Sequence, residues 1–262
     1  MSVPAAAADD NLARHFTWVQ DRCEGMRADR SPELTLAHCG LPCDTFNAVC
    51  RARLPEEGLD GRVRSALAFF GELPFSWWHG PSDEPADLPR ALAAAGLEAA
   101  ESELAMACPL ERVEGLPELG GSFEIRRVAT ADELLVFAEL LASLWDPPDA
   151  DVIRFYRRGT PVLLTPASPI RLYLGYAEGE AVATAEATLS GGAVGLYSIS
   201  TLPSHRGRGY GSAMTTQPLL EARAEGYRHG ILQAAPGAVG IYRRIGFEDL
   251  GEITEFKPPQ VQ

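Results

Sequence analysis

The stretch HRGRGYGSAM, residues 205–214, sets Gly207, Gly209 and Gly211 at alternate positions with Arg206 and Arg208 between them. Glycine has no Cβ, so its backbone N–H can come close to a ligand. A helix starting here would add N–H groups without an intrahelical partner and a partial positive charge. Bare backbone, a helix N-terminus and two guanidinium groups together describe an anion site, most often one for phosphate. Two familiar phosphate loops do not fit. A nucleotide P-loop ends in Gly-Lys-Ser/Thr, and no lysine stands in this stretch. A dinucleotide fingerprint needs its third glycine where this chain has Ser212. The residues alone leave two readings: a pyrophosphate cradle, or a glycine-rich turn with solvated arginines.

A cradle of this kind must sit between a strand and a helix. GGAVGLYSISTL (191–202) reads as a strand behind a glycine turn. YGSAMTTQPLLEARAEG (210–226) reads as a helix in which Pro218 is awkward. Upstream, FEIRRV (123–128) is a short strand. TADELLVFAELLASLWD (130–146) is a helix, with Thr130 and Glu133 at capping-box spacing and Leu134, Phe137, Leu141 and Leu144 at helical spacing. DADVIRFYRRG suggests a second short helix. IRLYLGYAEG (170–179) and AVATAEATLS (181–190) read as strands joined by a turn at Glu178–Glu180. Downstream, HGILQAAP (229–236) is a strand, GAVGIYRRIGF (237–247) a short helix turning at Gly246, and FEDLGEITEFK (247–257) a closing pair of strands. This order predicts an α/β fold (an α+β mixed, mostly antiparallel sheet flanked by helices).

In that setting TLPSHRGRGYGSAM resembles the acyl-CoA-binding signature of the GNAT acyltransferase superfamily, Arg/Gln-x-x-Gly-x-Gly/Ala. Arg206, Gly209 and Gly211 supply it, and Pro203 stands three residues ahead. AVGIYRRIGF resembles that family's helix Ala-x-x-hydrophobic-Tyr-x-x-hydrophobic-Gly-Phe. The resemblance implies that acetyl-CoA is the co-substrate. The amides of Arg208, Gly209, Tyr210, Gly211 and Ser212, beside Arg206 and Gly207, would hold its pyrophosphate. Main-chain groups near Ile199 and Thr201 would pair with the pantetheine arm. It also implies N-acetyl transfer by direct attack of an amine on the thioester, with Tyr242 as general acid. A phenol, with an ordinary pKa near 10, is a reasonable proton donor to a leaving thiolate. Many relatives carry a glutamate on the strand before the cradle, but GLYSISTL has no carboxylate. Ser198 and Ser200, on one strand face, could carry a water relay, and Glu186 on the neighbouring strand is another candidate base. Ala235 stands where relatives often have asparagine.

The first half repeats the order of elements without the motif. SPELTLAHCG and FNAVCRARL read as strands, LDGRVRSALAFFGEL as a helix, FSWWHGP as a strand, DLPRALAAAGL as a short helix and EAAESELAMACPL as terminal strands. Where the cradle belongs stands LPEEGLDG, whose Glu56, Glu57 and Asp60 would repel a pyrophosphate. The joint CPLERVEGLPELGGSFEIRRV, broken by Pro109, Pro117, Gly120 and Gly121, places a boundary near residue 118. Two tandem GNAT-like domains are therefore expected: residues 1–118, degenerate and without a CoA motif, and residues 119–262, the acetyltransferase. Trp77, Trp78 and His79 either contact a substrate or anchor the core, and core packing is the expectation. The acceptor pocket is expected to draw on the loop around 146–168.

The 262 residues, 46% hydrophobic and 23% charged, suit an ordinary globular chain with a sizeable core. The formal charge is −13, concentrated in residues 1–120, which hold 10 Arg against 20 Asp and Glu. Such a field disfavours nucleic acid and anionic membranes and tolerates a small cationic acceptor. The N-terminal MSVPAAAADDNLAR reads as a frayed leader and not a signal peptide, so a cytoplasmic location is expected. His38, Cys39 and Cys43 hint at a metal, but no second ligand pair stands at zinc-site spacing, so buried thiols and no metal are expected. The alternative to catalysis is a non-catalytic acyl-CoA-binding sensor, and the chain is expected to be a monomer or homodimer.

Overall fold

The computed structural model describes residues 5–119 and 121–259; Gly120 of the expected joint and the extreme ends, including the first four residues of the expected leader, lie outside them. The first half runs α1 (Ala5–Thr17), β1 (Arg27–Arg30), β2 (Thr35–His38), β3 (Ala48–Cys50), α2 (Leu59–Ala68), β4 (Ser76–His79), α3 (Leu88–Ala94) and β5 (Glu98–Pro109). The second runs β6 (Phe123–Arg127), α4 (Ala131–Ala142), α5 (Ala150–Leu163), β7 (Ile170–Ala177), β8 (Glu180–Ser190), β9 (Ala193–Thr201), α6 (Tyr210–Ala224), β10 (His229–Ala234), α7 (Val239–Ile245) and β11 (Glu248–Lys257). The fold is α/β, with helices on a large mixed sheet.

All the strands form one sheet in the order β1-β2-β3-β4-β11-β5-β10-β9-β8-β7-β6. Its two flanks repeat each other. β2 and β3 are antiparallel and β3 and β4 parallel across α2; β8 and β9 are antiparallel and β9 and β10 parallel across α6. The last strands are exchanged: β5 of the first half lies against β10, while β11 of the second half lies against β4. β5 and β11 pair antiparallel at the centre. The expected joint near residue 118 falls between β5 and β6, yet the sheet runs on through it. β5 and β11 are also each one long strand, where the sequence suggested pairs of short ones. The register of β11 on β5 shifts between Asp249 and Gly251, so a bulge replaces the expected break.

The expected leader is instead a structural helix. Leu12, Phe16 and Val19 recur at helical spacing and are buried, because α1 and the turn after it pack on both flanks of the sheet. Asn11 locks α1 in place. Its Nδ2 donates to the carbonyls of Thr188 (2.9 Å) and Ala193 (3.3 Å), and its Oδ1 accepts from the Tyr197 hydroxyl (2.9 Å). The approach is so close that a Cβ on Gly195 would stand 2.0 Å from Asn11 Oδ1. α4 starts at the capping box read from the sequence: Thr130 Oγ1 accepts from the Glu133 amide, and Glu133 accepts from the Thr130 amide. β8 is buried on both faces, between α1 and α4 on one side and α6 on the other. Four of the five cysteines are buried and all are free thiols; burial pushes Cys39 up to about 11 and Cys43 up to about 12.

Candidate active site

The strand–turn–helix around residue 209 adopts the geometry the glycines predict. Gly207 and Gly209 have φ of 77° and 84°, and Gly209 is the left-handed N-cap of α6. The following amides of Tyr210, Gly211 and Ser212 open the helix and have no intrahelical acceptor. Arg206 and Arg208 are exposed; Arg206 Nε donates to the Thr201 carbonyl at 3.0 Å and pins the loop to the end of β9. The Tyr210 ring turns away from the cradle, buried and stacked on Phe123 with centroids 4.0 Å apart. These features fit a pyrophosphate: bare backbone, a helix N-terminus and two solvent-facing cations.

β9 and β10 pair only from Ala193/His229 to Leu196/Leu232. Beyond that point β9 stays with β8 and β10 stays with β5, so residues 198–201 of β9 lose their neighbour on that side. The divergence coincides with a bulge. The β8–β9 register shifts between Glu186↔Tyr197 and Thr184↔Ser200, and Ser198 takes a left-handed φ of 49°. The bulge breaks the simple alternation expected of Ser198 and Ser200. Ser200 is held by Thr184, Oγ to Oγ1 at 2.6 Å, while Thr184 also donates to the Ser198 carbonyl.

The splay opens into a cavity of about 390 Å³. Ser198, Ile199, Ser200 and Tyr242 all line it, as does Ala235. Tyr242 comes from α7 and is mostly buried; burial and the charge of Glu103 push its phenol up to about 12. Glu186 does not line this cavity. It lies behind the wall, buried, with Oε1 2.7 Å from His15 Nδ1 and Oε2 accepting from the Tyr156 hydroxyl at 3.3 Å. Burial and that carboxylate hold Tyr156 and Tyr197 well above the ordinary phenol range. His15 does line the cavity, stacked on the Tyr197 ring at 3.9 Å between centroids.

Two contributors, His15 and Glu103, were missed from sequence. His15 sits on the helix read as a leader, although Leu12, Phe16 and Val19 mark that helix. Glu103 enters from β5 through the strand exchange and shows no local signal. Trp78 lines the cavity while Trp77 is core, so the pair divides between the two roles considered. The outer lip is Leu144 and Trp145 in the turn after α4; among the described residues none of 146–168 lines the cavity, because that stretch is mostly α5.

Residues 168–249 match the acetyltransferase (GNAT) domain family. The chain has a tandem GNAT fold. A GCN5-related N-acetyltransferase from Kribbella flavida is similar over 99% of this chain and 98% of its own, at 19% identity and a TM-score of 0.74. One from Sphaerobacter thermophilus is similar over 100% and 96%, at 16% identity and a TM-score of 0.58. A tandem GNAT protein from the clavulanic acid biosynthesis pathway aligns over 87% and 79%, at 13% identity and a TM-score of 0.58. Among curated proteins none matches the chain in sequence. The matched GNAT segment contains the cradle, β9, β10 and the α7 tyrosine. Among the described residues no group of His, Cys, Asp or Glu is placed to hold a metal ion, and no helix is long and apolar enough to cross a membrane.

Proposed function

We propose that this protein transfers the acetyl group of acetyl-CoA to the amine of a small molecule. One observation carries the reading: the splay of β9 from β10 has the glycine cradle at one end and the Tyr242 cavity at the other. Acetyl-CoA supplies an acyl group on a thiol leaving group, so the residues must bind it, remove a proton from the amine and return one to the thiol. Arg206, Gly207, Arg208, Gly209, Tyr210, Gly211 and Ser212 hold the pyrophosphate, chiefly by backbone amides. Ile199 and Thr201 offer the unpaired edge of β9 to the pantetheine arm as an added strand. Tyr242 keeps its proton throughout the physiological range and donates it from Oη. On the other side Glu186 acts through His15. With Nδ1–H held by the carboxylate, Nε2 is the ring nitrogen left to accept the amine proton. Ser198, beside the Tyr156 phenol, offers Glu186 a second path to the cavity.

In this reading residues 119–262 supply the cradle, Tyr242 and Glu186, and residues 1–118 supply His15 and wall the acceptor site. Glu56 and Glu57 ahead of α2 and Asp60 in its first turn are exposed, so negative charge stands where an anion cradle would need the reverse. The test is a calorimetric titration of acetyl-CoA into the wild type and an Arg206→Ala/Gly209→Asp double variant, followed by thiol release over a panel of amines. Binding by the wild type alone, with thiol release, supports the reading. Binding without thiol release for any amine would assign the chain to acyl-CoA sensing, and no binding at all would remove both.

A further inference from the structure

We infer that the acceptor is a primary amine on a single aromatic or aliphatic body, carrying no acidic group, and that Glu103 of the first half recognises its ammonium. This rests on the acetyltransferase reading and deepens it. The cavity is walled chiefly by apolar and aromatic side chains, with Phe16, Phe46 and Trp78 from the first half and Trp145 from the second. Among the described residues Glu103 is the one carboxylate that lines it, and no arginine or lysine does. An acceptor carboxylate or phosphate would therefore meet no cation except a protonated His15, whose Nδ1 already faces Glu186. A polycation would find only one partner. A single ammonium finds a half-buried carboxylate and aromatic faces, both of which favour it. Leu144 and Trp145 at the lip stay 38% and 41% exposed, an uncovered apolar rim that the body of such an amine would cover.

Glu103 is also a residue that gains from a cation. Burial, then the negative charges of Glu101 on its own strand and Glu255 on β11, push its carboxyl up to about 7. Tyr242, the other titratable group it influences, stays a neutral phenol. An ammonium beside Glu103 offsets both effects.

The experiment is calorimetry at pH 8 on the full chain, with and without saturating coenzyme A, using phenethylamine and hexylamine as probes, phenylalanine and spermidine as controls, and Glu103→Gln and Trp78→Ala as variants. Both probe amines should bind. Phenylalanine, which adds only a carboxylate to phenethylamine, should bind at least tenfold more weakly, and spermidine should gain nothing over hexylamine. Glu103→Gln should lose at least tenfold for the amines while acetyl-CoA affinity stays unchanged, and Trp78→Ala should weaken phenethylamine. Equal affinity in Glu103→Gln, equal binding of phenylalanine, or no binding of either amine overturns the inference. If coenzyme A binds and the amines do not, this inference fails alone; if coenzyme A also fails to bind, the acetyltransferase reading fails with it.

Discussion

Asn11→Ala removes the clamp between α1 and the β8–β9 hairpin. Three hydrogen bonds shorter than 3.4 Å go with it, and Asn11 is fully buried. The carbonyls of Thr188 and Ala193 keep a second lone pair for other donors, so their loss is small. The Tyr197 hydroxyl is the serious case, since a buried donor left without an acceptor costs about 1–3 kcal/mol. Adding the small void left by the amide, the expected destabilisation is about 2–4 kcal/mol. For a chain of this size that lowers Tm by roughly 5–12 °C. Thermal unfolding measures the total, and amide hydrogen exchange locates it. Residues 7–17 should lose protection before the sheet does. Leu12, His15 and Phe16 of α1 wall the cavity, whereas the cradle is built at the start of α6 without a residue of α1. Amine binding should therefore fall while acetyl-CoA affinity holds. Gly195→Ala, which pushes a methyl group into Asn11 from the other side, should reproduce the pattern. An unchanged Tm with α1 amides still protected would refute the claim that Asn11 anchors the helix.

Tyr242→Phe should lower kcat by about 10²–10⁴ with acetyl-CoA affinity unchanged; because the phenol is pushed up to about 12, the wild-type rate should show no descending limb from this group below about pH 10. Glu186→Gln and His15→Ala should each cut kcat by about 10²–10⁴, and together by little more than either alone, since the two act as one unit; independent, multiplicative losses would separate them. Burial and the neighbouring carboxylates push Glu103 up to about 7 from its ordinary value of 4.5, so the unfolded chain releases this proton at lower pH than the folded one. Its burial thus costs nothing below about pH 4 and progressively destabilises as pH rises towards 7, by about 1–3 kcal/mol after allowance for partial exposure. Glu103→Gln should flatten that part of the stability–pH curve and be at least as stable as wild type at pH 8; urea titrations at pH 4.5 and pH 8 measure it.

The legible parts of this protein are those decided within a few residues. The capping box of α4, the left-handed glycines at 207 and 209 and the turn at Gly246 are local backbone demands, and each appears where its residues call for it. What escaped was decided across long stretches of chain. Ser198 is bulged although nothing in GLYSISTL demands a positive φ; the register of β8 imposes it. Glu186 points behind the cavity because the same register sets it opposite Tyr197 and beneath His15, 171 residues away in sequence. Alanine-rich sequence at the N-terminus looked like an untethered end because its partners, Thr188, Ala193 and Tyr197, lie in the other half. Glu103 follows Glu101 on an outwardly ordinary strand and reaches the cavity only because β5 pairs with β10.

The exchange of β5 and β11 also governs how the chain can be born. β11 leaves the ribosome after the other strands of the sheet, yet it fills the middle, between β4 and β5. Until it arrives, the first half has finished synthesis with the edges of β4 and β5 unpaired beside each other. Chains of this size usually fold N-terminal part first as they emerge. Here that route stops short, and the nascent first half must wait with open edges, the kind of surface that recruits other strands. The sheet is thus completed only once β11 has emerged, and a chain cut before β11 would have its cradle built and its centre missing.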